Sequence, residues 1–258
     1  MLFLRSLIFN VLFYVNLTVL MILGLPTILF GRRAIIRLAH AWGWSSFWLM
    51  EKICGTRVEF RGREHLLTQG CIIAAKHQST WETFALCTQL RDFTYILKHE
   101  LTWLPLFGQY LVRADQIAID RQSRSAALKQ LVAQAGKAIA EGRAIFIFPE
   151  GTRRPAGAPP HYKAGVAHLY AAEGAPCVPV ALNSGLFWPR RRFLRYPGTI
   201  VIEFLPAIQP GLSTSEFLSR LQQTIEEASD RLIAEALAEN PALSANLASK
   251  DEVGLKAG

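Results

Sequence analysis

Cysteine is scarce in this chain of 258 residues: Cys54, Cys71, Cys87 and Cys177 stand far apart in apolar settings, with no C-x-x-C pair among them. That pattern excludes a disulfide framework and a cysteine-built zinc site, and it reads as reduced core thiols in a cytosolic compartment. A metal-ligand constellation is missing too, since His161 and His168 have no cysteine or carboxylate at ligand spacing. Internal repeats and low-complexity blocks are absent. Acidic residues are in deficit, 20 against 28 basic ones, which leaves a net charge of +8. Such a surplus fits an anionic partner, whether nucleic acid, an anionic membrane surface or a phosphorylated substrate.

What is abundant is apolar surface: hydrophobic residues make up 51% of the chain, with much of the excess at the N-terminus. Leu2 to Phe30 is nearly all apolar, and Leu7–Phe30 is long enough to cross a hydrocarbon core of about 30 Å. It is too long for a signal-peptide core and lacks a small-residue cleavage site. Arg32, Arg33 and Arg37 follow it, against the single Arg5 before it, which places the C-terminal side in the cytoplasm. Ala34 to Ile53 carries Trp42, Trp44, Phe47 and Trp48 and reads as an amphipathic helix on or dipping into the cytoplasmic leaflet, the alternative being the first helix of the soluble core. The two segments could equally form a re-entrant hairpin. Residues 1–53 are therefore expected to anchor the chain, 56–240 to form the main domain, and 241–258 to be a loosely ordered tail.

From Thr56 onward strands alternate with helices. Short apolar strands are expected at 71–75, 94–97, 117–119, 144–148 and 178–182, with alternating ones at 57–61 and 199–205. Helices are expected over 81–90, over 101–112 with a break or kink at Pro105, over 123–141 and 164–173, and over 213–240, where Ser213-x-x-Glu216 is a capping box. This order predicts an α/β fold with a largely parallel mixed sheet flanked by helices. In such sheets ligands sit outside the carboxyl ends of the strands. Three polar clusters fall there: His77 with Glu82, then Asp120-Arg121, then Glu150-Gly151-Thr152-Arg153.

On a continuous helix His77 and Glu82 would lie roughly 140° apart, so they meet only if the chain bends between them. A strand-to-helix turn supplies that bend. Ser79-x-x-Glu82 is also a capping box, which by itself would account for Glu82 and makes Ser79 a cap rather than a nucleophile.

The chain resembles the glycerolipid acyltransferases, in particular the bacterial 1-acyl-sn-glycerol-3-phosphate acyltransferases. The resemblance rests on four elements in order: His77-x4-Glu82, Ile119-Asp120-Arg121, Phe148-Pro149-Glu150-Gly151-Thr152-Arg153 and Val178-Pro179-Val180. It covers roughly residues 56–206, and the apolar N-terminus is similar as well. Two departures stand out. Glu82 replaces the usual aspartate, one methylene shorter, and the second element lacks a glycine often found just before it.

The resemblance implies direct acyl transfer from a thioester to a hydroxyl, with no acyl-enzyme and no cofactor or metal. Such chemistry needs a base, for which His77 is suited, and a carboxylate to hold its tautomer, for which Glu82 is suited. It needs donors for the oxyanion, from the backbone around Gly151, the start of the helix after His77 or a nearby cation. A phosphorylated acceptor needs cations, and Arg121 and Arg153 sit at strand ends. The resemblance places acceptor binding there, along Gly151 and Thr152, with Gly151 allowing close backbone approach and Glu150 positioning neighbours or the acceptor. Lys163 is a lesser phosphate candidate and Lys98 a lesser one still.

The expected activity is acylation of lysophosphatidic acid to phosphatidic acid, with acyl-CoA or acyl-carrier protein as donor, on the cytoplasmic side of the inner membrane. Another lyso-lipid acceptor, such as lyso-ornithine lipid or a lysophospholipid, is the alternative within enzymes. A non-catalytic membrane-bound module for lipid or nucleic acid is the alternative outside them. The basic aromatic loop Phe187–Tyr196 is expected to meet anionic headgroups rather than nucleic acid.

Overall fold

The computed structural model describes residues 1–67, 69–120 and 124–248. In chain order its elements are α1 (Leu2–Leu23), α2 (Arg32–Cys54), β1 (Thr56–Arg61), β2 (Ile72–Ala75), α3 (Trp81–Ala85), β3 (Phe93–Lys98), α4 (Phe107–Arg113) and β4 (Ile117–Ile119). There follow α5 (Arg124–Ala140), β5 (Ala144–Ile147), α6 (Gly165–Glu173), β6 (Cys177–Leu182), α7 (Ser184–Phe187), β7 (Gly198–Phe204) and α8 (Thr214–Glu239).

The strands β2, β5 and β6 are buried at every position, as strands covered on both faces must be. Alternate residues divide between two cores. Ile72, Ala74, Ile145 and Ile147 face Ala135, Val166, Phe217, Leu221 and Ile225 of α5, α6 and α8. Ile73, Ala75, Phe146 and Val180 face Phe47 and Met50 of α2 and Trp81 and Phe84 of α3. The sheet order is β1-β7-β6-β2-β5-β3-β4. Neighbours are parallel except for β6 with β7, so the sheet is mixed and largely parallel, as the alternation of elements predicts.

The N-terminal helices are less separate than the sequence reading has them. One face of α2 enters the main core through Ile36, Phe47, Met50 and Cys54, while Trp44 and Trp48 stay exposed. It is the first helix of the domain as well as an amphipathic one. Helix α1 folds back along α2, where Asn16 Nδ2 donates to Ser45 Oγ at 2.8 Å, and seats Phe9 and Phe13 against Trp188. Leu17, Leu20 and Met21 are half-buried, Met21 against Ile35 and Tyr110, while Phe3, Leu4, Leu7, Ile8, Val11, Leu12, Val15, Val19, Ile22 and Leu23 face outward. Arg32 is spent inside the protein: it pairs with Asp92 and donates to the Phe93 carbonyl at 2.7 Å.

Two further expectations change. Helix α3 ends at Ala85 and tightens into a 3-10 turn over Leu86–Gln89, where Thr88 Oγ1 donates to the Ala85 carbonyl at 2.7 Å. Residues 241–248 are held rather than loose. Leu243 is buried, Asn246 Nδ2 donates to the Leu186 carbonyl at 2.8 Å, and the Ala248 N–H donates to the Ala156 carbonyl at 2.9 Å. All four cysteines are buried free thiols, and burial pushes Cys71 and Cys87 each up to about 12.

Candidate active site

Strands β5, β2 and β6 lie side by side and parallel, so their carboxyl ends open on one edge. β2 delivers His77, β5 delivers Phe148 to Arg153, and β6 delivers Asn183 and Ser184.

The chain turns sharply after β2, and His77 Nδ1 comes to 2.9 Å from Glu82 Oε1. The same oxygen accepts the N–H groups of Gln78 and Ser79, each at 2.7 Å. Glu82 is fully buried, so these donors replace the water it has lost. The bonds that close the turn therefore also aim this one carboxylate at the imidazole. Ser79 Oγ accepts from the Trp81 N–H at 3.0 Å, but the N-cap position of α3 falls at Thr80, whose side chain does not cap. With Nδ1–H donated to the carboxylate, Nε2 is the nitrogen left for a substrate proton.

The 148–154 segment packs beside this turn. The Phe148 ring stacks on the imidazole. The Arg154 N–H donates to the His77 carbonyl at 2.8 Å, and the Arg153 guanidinium donates to Thr80 Oγ1. Gly151 takes the left-handed φ of +66°, which lets the chain reverse here at little cost. Its N–H is given to the Phe148 carbonyl at 2.9 Å. The N–H groups of Gly151, Gln78, Ser79 and Trp81 are thus all engaged within the protein, which removes them from the oxyanion donors the sequence offers. Thr152 is exposed beside Arg153, and Lys163 is exposed on the return of this loop, its N–H bonded to the Pro149 carbonyl.

Glu150 lies below the exposed surface of the site. It is fully buried beneath the site, with Oε1 3.3 Å from Lys76 Nζ and 3.6 Å from Arg154 Nε. Burial raises its carboxyl above the usual range, with Lys76 opposing and Glu226 adding to the rise. Lys76 in turn reaches Glu226 of α8 at 2.7 Å, and Glu226 accepts from the Tyr162 hydroxyl at 2.8 Å. Arg121 lies outside the described residues. Its neighbour Asp120 follows β4, three strand spacings from β2 and so roughly 14 Å across the edge.

The basic aromatic loop is only partly a surface. Trp188 and Arg195 are buried, with the guanidinium 4.3 Å from the indole. The loop is fastened to α1, because the Arg195 N–H donates to Ser6 Oγ at 2.9 Å and Asn10 Nδ2 to the Phe193 carbonyl at 3.0 Å. Arg191 and Arg192 remain exposed. His161 and His168 are also exposed, and no group of three or more His, Cys, Asp or Glu side chains that could hold a metal occurs among the described residues.

Sequence reasoning passed over Lys76, Glu226 and Ser184, which donates to Glu82 Oε2 at 2.7 Å. The rule that found the other groups applied to Ser184 as well, since Asn183-Ser184 is a polar pair at the carboxyl end of a buried strand. Glu226 carried no such signal, being one of many acids on a long helix.

Comparison with known proteins gives this arrangement a family. Residues 57–183 match the model of the Acyltransferase family. The 1-acyl-sn-glycerol-3-phosphate acyltransferase of Pseudomonas aeruginosa is 37% identical over 75% of this chain and 76% of its own length. The one from Limnanthes alba is 32% identical over 67% of this chain and 62% of its own length. The crystal structure of the 1-acyl-sn-glycerophosphate acyltransferase of Thermotoga maritima superposes with a TM-score of 0.76 at 21% identity. It covers 90% of this chain and 98% of that one, a likeness of fold.

Proposed function

The chain belongs to the acyltransferase family, and from that premise we propose that it acylates the free hydroxyl of lysophosphatidic acid, giving phosphatidic acid. The family assignment makes it an enzyme of acyl transfer. The acceptor follows the names of its relatives in Pseudomonas and Limnanthes. The observation that carries the mechanism is the 2.9 Å contact between His77 Nδ1 and Glu82 Oε1.

In this reading Nε2 of neutral His77 takes the hydroxyl proton as the oxygen attacks the thioester carbonyl. The C–O bond forms, the C–S bond breaks, and the proton passes from the imidazolium to the departing thiolate. Glu82 holds the tautomer and stabilises the imidazolium, as the carboxylate of a triad does, with the substrate hydroxyl in place of serine. Arg153 and Arg121 grip the acceptor phosphate. The donor is the thioester of acyl-CoA or acyl-carrier protein. The exposed apolar side of α1 holds the protein in the membrane that supplies a lipid acceptor and takes up a lipid product. Arg33 and Arg37 keep the domain on the cytoplasmic side of the inner membrane.

The test is transfer from labelled acyl-CoA and acyl-carrier protein to lysophosphatidic acid in detergent micelles, with wild type beside His77→Ala. Transfer by wild type that vanishes in the folded variant is the expected result. Undiminished transfer by His77→Ala removes the base. Failure of wild type with both donors turns the search to other lyso-lipids.

A further inference from the structure

The two oxygens of the Glu82 carboxylate are held very differently. Oε1 receives His77 Nδ1 and the N–H groups of Gln78 and Ser79. Oε2 receives one donor among the described residues, the hydroxyl of Ser184, from 102 positions further along the chain. We propose that Ser184 is a positioning residue for the His77–Glu82 pair, holding the second carboxylate oxygen so that the first stays aimed at the imidazole. The proposal rests on the reading of that pair as the catalytic base and its partner.

Three donors on Oε1 fix a point, not a plane. The last torsion of glutamate is soft and roughly two-fold, so the carboxylate could pivot about Oε1 and present Nδ1 with a poorly directed lone pair. A hydrogen bond to Oε2 from a second direction removes that freedom. Glutamate needs it more than an aspartate would, having one more rotatable bond between backbone and carboxylate. A charge-assisted bond of this kind is about twice as strong as a neutral one.

The seat of Ser184 suits the task. It is fully buried, so it cannot touch a substrate at the site mouth. It opens α7 directly after β6, the parallel neighbour of β2. The next residue makes a second link to the same turn, the Gly185 N–H donating to Gln78 Oε1 at 2.9 Å. A side chain at Gly185 would begin 3.0 Å from both Cβ and Oε1 of Gln78, so glycine is what allows the approach. The preceding residue anchors the other side, Asn183 Oδ1 accepting from the Val201 N–H of β7 at 2.9 Å. Ser184 thus reaches the carboxylate from a rigid platform bolted to the turn on one side and to the sheet on the other.

Steady-state kinetics of the full chain in detergent micelles test this, with both substrates varied. Ser184→Ala lowers kcat about tenfold with both KM values within about twofold of wild type. Ser184→Cys keeps the volume and offers a weaker donor, and falls between the two. In Glu82→Asp the shorter side chain, kept on His77, draws away from Ser184. There the further change Ser184→Ala costs less than about twofold. A wild-type kcat in Ser184→Ala, a loss expressed in KM, or an equal loss in both Glu82 and Asp backgrounds overturns the proposal. His77→Ala is run alongside: if it is inactive, such outcomes count against Ser184 alone. If it is active, the catalytic pair itself falls, and this inference with it.

Discussion

The ring of Phe148 lies flat on the imidazole of His77, with centroids 3.9 Å apart and planes 16° from parallel. Phe148 leaves the end of β5 as His77 leaves the end of β2, and the two strands are paired. One face of the imidazole is thereby covered, and its rotation is limited to the plane that keeps Nδ1 on Glu82. Aromatic pairs of this kind contribute about 0.5–1.5 kcal/mol beyond their buried area. Phe148→Leu keeps the apolar cover but loses the flat contact. It is expected to lower kcat by about 3–10-fold, with the melting temperature lowered by only about 1–6 °C. An unaltered kcat would show that Glu82 alone orients the ring.

Lys76 is 2% exposed and lies between two carboxylates, Glu150 and Glu226. Lys76→Met removes the cation and leaves both acids with too little compensation. Breaking a buried pair in this way costs about 3–5 kcal/mol, a fall of roughly 6–20 °C in melting temperature for a chain of this size. The pH dependence has a definite sign. The Glu150 carboxyl is already raised above its unfolded value by burial, and losing Lys76 raises it further. The folded variant therefore binds more protons than the unfolded chain, and the penalty is present at high pH and relieved as pH falls. The melting gap to wild type should narrow between about pH 8 and about pH 5; a gap constant across that range would rule out the charge argument.

Arg153 is fastened to Thr80 at the start of α3, so its guanidinium stands next to the His77 turn, with no other hydrogen bond from that guanidinium among the described residues. Arg153→Lys keeps the charge and loses the planar fork. The acceptor KM should rise about tenfold, with a smaller effect on kcat and none on hydrolysis of the donor thioester in the absence of acceptor. Equal changes in transfer and hydrolysis would place Arg153 with the donor.

The parts legible in the sequence were those that repeat with a period or end a buried strand. Fully apolar runs such as Ala144–Ile147 announced a sheet covered on both faces, and the strand-end rule put His77 and Arg153 on one edge. What stayed hidden depended on which strands become neighbours. Ser184 became a partner of Glu82 only because β6 pairs with β2, a choice no local pattern encodes. Lys76 and Glu226 meet because α8 crosses under that same edge, far from Lys76 in sequence. That Glu150 holds its neighbours Lys76 and Arg154 from below the surface, while Thr152 is exposed, depends on the left-handed turn at Gly151 and on packing that the strand-end pattern does not encode. Helix α1 looked uniformly apolar, and only packing shows that it has two different apolar faces.

Those two faces predict separable effects. Val11, Val15 and Val19 are spaced four apart and exposed on α1, whereas Phe9 is fully buried against Trp188 and Phe13. If the outer face enters a leaflet while the inner face rests on the domain, each exposed valine contributes about 1–1.5 kcal/mol to membrane binding and almost nothing to folding. Replacing all three by glutamine should weaken binding to anionic phospholipid vesicles by roughly two orders of magnitude or more, while melting in detergent is unchanged. Phe9→Ala should do the reverse, costing about 3–5 kcal/mol of stability through the cavity it leaves, with vesicle binding of the folded protein retained. A helix that leaves the domain and crosses the bilayer on its own would surround Phe9 and the valines with the same lipid. Phe9→Ala would then barely move the melting temperature, so a melting scan of that one variant distinguishes a helix lying along the domain from one that spans.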